Sequence, residues 1–545
     1  MPIPPKATFA ARPTLSAFAL NTLVASYLLA LCNATFWGHL FRIFDGRTVT
    51  ALVFAGAVWA LMLLVISVLA VRRAQKPVLI AMLLTAGVTS YYVDVLGVVI
   101  DREMIQNAVT TTFAESKHLV TLHFVGHVVL YGLLPSAIVL WVRIRRDSIR
   151  RAVAGYGLVT AVSAGLVVGL LFTDLKAYST VLRADKELMG AVQPLAPLSG
   201  ALRYAKMMLK STQIVVQPTA QDAAKGPFVA KVGKPVLLVI VAGETGRAAN
   251  WSLGGYGRET NPELVQRDIT YFPNVTSCGT ATATSLPCMF SPLTRAEYSY
   301  EGGLSHENLV DVLAHAGFQV EWWDNNTGHK NVADRVASRV MTAADGAEFC
   351  QPECIDGVFL KALRQKAATI TEDTVIVLHQ IGSHGPSYWL RYPADRELFA
   401  PACQTPELTD CTTEEIVNAY DNTIAYTDWF LAQVIDLLDA QDRVVPAMYY
   451  VSDHGESLGE GGLYLHGTPY FMAPEYQTHV PMVIWMSERF RASLAVDPEC
   501  MKTAAGNPAS HDNMFSTVLG MLDVTTKAKD DALDLAGACR QVTTG

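Results

Sequence analysis

Four absences narrow what this 545-residue chain can be. It has no surplus of positive charge: the formal net charge is −8, which gives no reason to propose a nucleic-acid partner. It has no CxxC pair, so its nine cysteines do not read as a metal framework. No repeat or low-complexity tract interrupts it. No small-residue cleavage site followed by soluble sequence closes the first apolar run, which makes a cleavable signal peptide a poor fit.

Charge is missing above all from the first third. Residues 17–38, 49–71 and 152–173 contain no Asp, Glu, Lys or Arg, residues 77–100 carry only Asp94, and residues 119–142 carry only His123 and His127. About 20 largely apolar residues cross ~30 Å of hydrocarbon, so residues 1–173 are expected to form a transmembrane domain of five helices. Lys6 and Arg12 precede the first run, Arg72, Arg73 and Lys76 follow the second, and Arg143, Arg145, Arg146, Arg150 and Arg151 separate the fourth from the fifth. Basic loops stay in the cytoplasm. The N-terminus is therefore expected inside, and everything after residue 173 outside.

Cysteine usage tests that topology independently. Cys32 lies in the first run and the other eight follow residue 270, as expected of a domain in an oxidising compartment such as the periplasm. Their order suggests the pairs Cys278 with Cys288, Cys350 with Cys354, and Cys403 with Cys411, leaving Cys500 with Cys539, although sequence alone does not exclude other pairings.

Residues 174–234 are mixed, with breakers at Pro194, Pro197, Pro218 and Pro227, and read as a bridge. Leu202, Ala205 and Leu209 share one helical face beside the basic Arg203, Lys206 and Lys210, a pattern suited equally to a membrane surface or to packing on a soluble domain. From residue 235 to 545 the pattern changes. Short apolar runs at 235–242, 374–379, 447–451 and 480–485 are of the kind that form central strands covered on both faces, with helical stretches such as 305–316 and 413–440 between them. This alternation predicts one α/β domain with a mostly parallel central sheet.

In such sheets functional groups gather beyond the carboxyl ends of strands. One run ends at Val-Ala-Gly-Glu244, another at Val-Ser-Asp453-His454-Gly-Glu456. Two carboxylates and an imidazole suit a zinc site, the imidazole favouring zinc or manganese over magnesium or calcium. A nucleophile is offered by Cys278-Gly-Thr280-Ala-Thr282-Ala-Thr284-Ser-Leu-Pro-Cys288, where hydroxyls sit in a small-residue turn ready to start a helix, whose terminal amides favour phosphate oxygens. Chemistry alone does not choose among Thr280, Thr282 and Thr284. Three further polar clusters resemble site loops: Asp324-Asn-Asn326-Thr327-Gly-His329-Lys330, Gly382-Ser-His384-Gly-Pro386 and Tyr464-Leu-His466-Gly-Thr-Pro469.

Taken in order, these motifs resemble the membrane phosphoethanolamine transferases that include the mobile colistin-resistance enzymes. The resemblance also rests on Gly255-Tyr-Gly-Arg258-Glu-Thr-Asn261-Pro262 and on Asp101-Arg-Glu-Met-Ile-Gln-Asn107 in the membrane half, and so covers nearly the whole chain. It implies an alkaline-phosphatase-like fold for the soluble domain. Thr280 would be the nucleophile, and Glu244, Asp453 and His454 would hold zinc together with the Thr280 oxygen. Asn326, Thr327, Lys330, His384 and His466 would surround the phosphoethanolamine group or a second metal position.

The implied enzyme is a monomer in the bacterial inner membrane with its catalytic domain in the periplasm. It would take phosphoethanolamine from phosphatidylethanolamine and pass it to lipid A, lowering the negative charge that polymyxins bind. Alternatives are a core sugar or another envelope molecule as acceptor, or a phosphoglycerol transferase of the lipoteichoic-acid synthase kind, against which the paired cysteines and His-Gly turns weigh. A sulfatase lacks support because no Cys/Ser-x-Pro-x-Arg motif lies near residue 280, and a membrane sensor or transport component would work without zinc. On the resemblance, Thr280→Ala is expected to abolish both the covalent intermediate and the modified lipid A in mass spectra.

Overall fold

The computed structural model describes residues 12–145, 148–212 and 214–540; Lys6 and Arg146 of the orientation argument lie outside them. The chain divides into two compact units, one of residues 1–105 and 120–203, the other of residues 106–119 and 204–545.

In the first unit, four helices among the described residues are long and apolar enough to cross a membrane: Thr48–Leu69, Arg72–Leu96, Leu122–Trp141 and Ile149–Phe172. The stretch at 17–38 departs from the expected single span. It forms Ala17–Leu31 and Ala34–Ile43, bent by 68°, so the count reaches five only if this pair crosses as one. Asn33 supplies a physical reason for the break. Its buried amide donates to the Leu28 carbonyl (2.8 Å) and the Gln193 carbonyl (2.9 Å) and accepts from the Gln193 amide (2.7 Å), so backbone groups at the bend are paired inside the unit. Asp94 has a local task too: its carboxylate accepts from the Thr35 amide at 2.9 Å and hydroxyl at 2.6 Å, which caps the second helical piece with negative charge. Helix Leu195–Ser211 carries the basic and apolar residues noted above, and Leu202 and Leu209 on it are exposed.

The second unit is built on an eight-stranded sheet. In chain order its strands are β1 (Val236–Gly243), β2 (Ile269–Thr276), β3 (Gln319–Asp324), β4 (Ala337–Val340), β5 (Thr374–His379), β6 (Val445–Ser452), β7 (His479–Met486) and β8 (Ala509–Ser510). Across the sheet they run β8-β2-β7-β6-β1-β5-β3-β4. Five of the seven pairings are parallel, and β7 alone runs against its neighbours β2 and β6. The sheet is thus mixed, and the strand expected at 480–485 is the reversed one.

The apolar runs reflect a two-sided core. In β1, Val236, Leu238, Ile240 and Ala242 pack into one apolar cluster while Leu237, Val239 and Val241 pack into another. Alternate side chains point to opposite faces, and helices cover both. The longest, Thr413–Asp439, opens on a capping box in which Thr412 and Glu415 satisfy each other's backbone amides. The helix expected over 305–316 is confined to Leu309–His315, because Asn308 caps it and the residues before it turn. All four disulfides form as the cysteine order suggests, at Cys278–Cys288, Cys350–Cys354, Cys403–Cys411 and Cys500–Cys539.

Removing the Ile240 side chain from the sheet centre, where it is fully buried, is expected to destabilise the second unit by roughly 2–5 kcal/mol. A lowered unfolding temperature of Ile240→Ala in detergent would register it.

Candidate active site

Strand pairing assembles the centre of the site. β1 and β6 lie side by side in parallel with Gly243 opposite Ser452, so the next residues, Glu244 and Asp453, leave the sheet at the same edge. The Asp453 amide donates to the Gly243 carbonyl at 3.0 Å, extending the ladder one step. His454 follows. Ligand atoms of Glu244, Asp453 and His454 all lie within 4.8 Å of one another, and all three side chains are buried.

The surroundings fix each group. Asp453 Oδ1 accepts from the amides of Thr245 (3.1 Å) and His454 (2.7 Å), whereas its buried Oδ2 has no hydrogen bond. His454 Nδ1 lies 2.9 Å from the Gly455 carbonyl. A proton on Nδ1 makes that bond and turns Nε2 toward Glu244 Oε1 and Asp453 Oδ2, each 3.4 Å away. Burial and the nearby Glu244 charge push the Asp453 carboxyl up. Burial opposes ionisation of Glu244 as well, but the hydrogen bond and charge of His454 hold it well below the usual carboxylate range. Burial also works against a charged His454, yet the charge of Asp453 and the hydrogen bond to Glu244 lift it to about 10.

The nucleophile expected from the resemblance is not the hydroxyl that meets this cluster. Thr280 is buried, but its Oγ1 donates to the Thr468 carbonyl at 2.6 Å and its own carbonyl accepts from the Gly467 amide at 2.7 Å; these bonds stitch the disulfide segment to the His466 turn. Thr282, two residues on, has its Oγ1 3.1 and 3.0 Å from the two Glu244 oxygens and 3.3 Å from His454 Nε2. The reason is where the helix starts. Helix Thr282–Met289 has Ala281 as its cap, so Thr282 is the first helical residue and its side chain projects at the positive end of the helix. Ser285 Oγ, donating 2.5 Å to the Asp453 carbonyl, locks that helix against β6.

Of the remaining expected residues, Asn326 joins the cluster directly, its Nδ2 donating to Glu244 Oε2 at 2.7 Å and to the Gln380 carbonyl at 2.8 Å. Thr327 and Lys330 continue the same turn, Lys330 Nζ reaching the Thr327 carbonyl at 2.9 Å. The His466 ring centre lies 4.4 Å from that of His454 and 5.4 Å from that of His384. Burial pushes the His384 imidazole down to about 3. His466 Nδ1 lies 2.8 Å from Glu456, which also accepts from the Tyr388 hydroxyl at 2.6 Å.

Three residues of the site carry no assignment from sequence. His379, at the end of β5, pairs with Asp324 at 2.9 Å and approaches Asn326 at 3.3 Å. His511 accepts the Cys278 amide on Nδ1 at 3.0 Å and reaches the Ser452 carbonyl at 2.9 Å, tying the disulfide segment to β6. Asp356, fully enclosed, accepts from the amides of Ile381 (2.9 Å) and Gly382 (3.0 Å) and from Asn325 (3.0 Å). Strand-end position could have flagged His379; His511 and Asp356 leave no signal in sequence.

Two carboxylates, one imidazole and one hydroxyl converging in a buried space suit zinc, whose ligands are nitrogen, sulfur and carboxylate oxygen. The unbonded Asp453 Oδ2 fits such an ion, since buried polar atoms are otherwise paired, and a divalent charge would let both carboxylates stay ionised.

Comparison with known proteins agrees with this geometry. The sulfatase family profile matches residues 237–524, and the soluble unit is of the alkaline-phosphatase-like class, a sheet with its chemistry at the carboxyl ends of the strands. The phosphoethanolamine transferase EptA/EptB profile matches residues 58–209. Phosphoethanolamine transferase EptA of Escherichia coli (strain K12) is 37% identical over 540 residues, covering 97% of this chain and 98% of that one. Phosphatidylethanolamine transferase Mcr-1 of Escherichia coli is 35% identical over 539 residues, covering 95% and 97%. Among solved structures, the integral membrane lipooligosaccharide phosphoethanolamine transferase A (EptA) from Neisseria meningitidis superposes with a TM-score of 0.93 at 33% identity, covering 97% of this chain and all of the other. The chain therefore belongs to the EptA family of phosphoethanolamine transferases, and it is a membrane protein with a soluble C-terminal domain.

Gly382 sits against the ligand strand: its φ is +49°, and a Cβ there would lie 2.5 Å from the Glu244 carbonyl oxygen. Gly382→Ala is expected to displace Glu244 and weaken divalent-metal binding by about tenfold or more, the range seen when the groups orienting a metal ligand are lost; competition with a chelator would measure it.

Proposed function

We propose that the chain transfers phosphoethanolamine from phosphatidylethanolamine to lipid A, with Thr282 rather than Thr280 as the nucleophile and with Glu244, Asp453 and His454 as zinc ligands. The observation that carries this reading is the Thr282 hydroxyl, held about 3 Å from Glu244 and His454 at the first turn of a helix. Bound there, zinc would supply positive charge that lowers the pKa of a hydroxyl and offsets charge on phosphoryl oxygens.

The chain's own residues account for the remaining steps. The helix opening at Thr282 favours a tetrahedral phosphate. Thr282 Oγ attacks phosphorus, the bond to the diacylglycerol oxygen breaks, and that oxygen takes up a proton as diacylglycerol leaves. An oxygen of a lipid A phosphate then attacks the same phosphorus, the bond to Thr282 Oγ breaks, and the threonine recovers a proton. His384 and His466, whose ring centres lie 5.4 Å apart beside the cluster, would carry protons in these two steps. Asn326, Thr327 and Lys330 line the approach to the phosphoethanolamine group.

The names of the relatives support the donor and the transferred group, and the charge effect follows: an added amine offsets lipid A phosphate charge and weakens polymyxin attraction. Both substrates are lipids, which accounts for the membrane unit. The soluble unit works in the periplasm of a monomer anchored in the inner membrane, a placement supported by its four disulfides.

Thr282→Ala is expected to abolish the phosphoethanolamine-threonine adduct and lipid A modification in mass spectra of cells, while Thr280→Ala keeps an adduct on residue 282. An adduct on residue 280 of the native enzyme would refute the assignment. Chelation is expected to stop turnover and zinc to restore it; activity that survives complete metal removal would rule out the zinc role.

A further inference from the structure

The short turn closed by Cys350–Cys354 carries one carboxylate, Glu353, and another, Asp356, follows two residues beyond it. Asp356 holds the amides of Ile381 and Gly382. Glu353 does something separate, and its two oxygens divide the work. Oε1 meets Lys117 Nζ at 2.7 Å and His118 Nε2 at 2.8 Å. Oε2 accepts from Arg391 at 2.9 Å.

The Lys117 and His118 side belongs to residues 106–119, which group with the second unit although the helices flanking them in sequence belong to the first. This arm reaches other parts of the site as well: Gln106 Nε2 lies 3.5 Å from the Ala283 carbonyl, next to Thr282, and Lys330 Nζ lies 3.4 Å from the Thr110 carbonyl. Both of those contacts are long. The short, charged contacts are at Glu353.

On the other side, the Arg391 guanidinium is buried, with a side-chain exposure of 2%. A buried cation must be paired, and Glu353 is the carboxylate that meets it. With its charge matched, Arg391 Nε donates to the His384 carbonyl at 3.0 Å. Burial works against ionisation of Glu353, but hydrogen bonds from Lys117, His118 and Arg391 and the Arg391 charge hold its carboxyl down at about 2.

We propose that Glu353 is a positioning residue, a clasp that holds the 106–119 arm to the catalytic unit through Lys117 and His118 and sets the His384 backbone through Arg391. The functional value of this clasp rests on the transfer reading above, since it couples the arm beside the nucleophile helix to one of the two histidines suited to proton movement. Neither Glu353 nor Arg391 need touch substrate. What the clasp supplies is registration: loss of one carboxylate releases the arm and the His384 loop together.

The test uses the full-length, zinc-loaded protein in detergent and reads amide hydrogen exchange alongside turnover of phosphatidylethanolamine. In Glu353→Gln, exchange is expected to rise about tenfold or more in residues 106–119 and 381–391 while β1 stays as protected as in the native chain. Turnover is expected to fall by about tenfold or more, the order of loss that follows a misplaced site group. Glu353→Asp, which keeps the charge, should recover part of both. The paired change Lys117→Met with His118→Gln should loosen 106–119 while leaving 381–391 protected, because Arg391 keeps its partner. Exchange in Glu353→Gln that is unchanged, or that rises equally in β1, would overturn the proposal. Exchange is measurable in a chain that transfers nothing, so if the native protein gave no turnover of phosphatidylethanolamine, the transfer reading would fail while the clasp would still be decided by its own readout.

Discussion

Everything at the site depends on two carboxylates being forced together. Because β1 pairs with β6 in parallel with Gly243 opposite Ser452, Glu244 and Asp453 emerge side by side with both side chains buried. Two negative charges in such a place repel strongly, and the fold tolerates them by surrounding them with compensating groups: His454 beside both, amides of Thr245 and His454 on Asp453, and Thr282 and Asn326 on Glu244. A site that concentrates negative charge, then offers one unbonded oxygen, is suited to hold a cation. The rest of the soluble unit can be read as support for that arrangement: a sheet whose central strand is buried on both faces, a helix pinned by Ser285 and His511, and loops held by Asp356.

The parts of this plan that were legible in sequence are those where one physical cause dominates. Burial on both faces turns β1, β5 and β6 into unbroken apolar runs, and the candidate ligands Glu244, Asp453 and His454 stand just past β1 and β6. Strand direction leaves no such mark. The run 480–485 looks the same whichever way it points, and it is the strand that runs against its neighbours. β2, with exposed Pro273 and Asn274, and β4, exposed along its length, lack the apolar signal altogether. The break at Asn33 was hidden because an amide inside an apolar run is silent until its partner, Gln193, is known.

The threonine assignment illustrates the same limit more sharply. Thr280 and Thr282 share a turn, a disulfide and a neighbourhood of small residues, and similarity to a family pointed to the first. What separates them is helix phase. One residue lies before the cap and spends its hydroxyl on the Thr468 carbonyl, the other begins the helix and turns its hydroxyl to Glu244. Likewise His511 and Asp356 become meaningful only when distant segments meet, since each does its work on a backbone amide far away in sequence.

The disulfides close short circuits, with separations of 10, 4, 8 and 39 residues. Loop-closure entropy on that scale is modest, roughly 2 to 4 kcal/mol each, and none of the four joins one half of the sheet to the other. They act as staples on individual turns rather than as a belt around the domain. Two of those turns, 278–288 and 350–354, carry or brace the groups that meet at the site. Reduction of those two bonds would therefore loosen the turn that bears Thr282 and the turn that bears Glu353 as well as destabilise the fold.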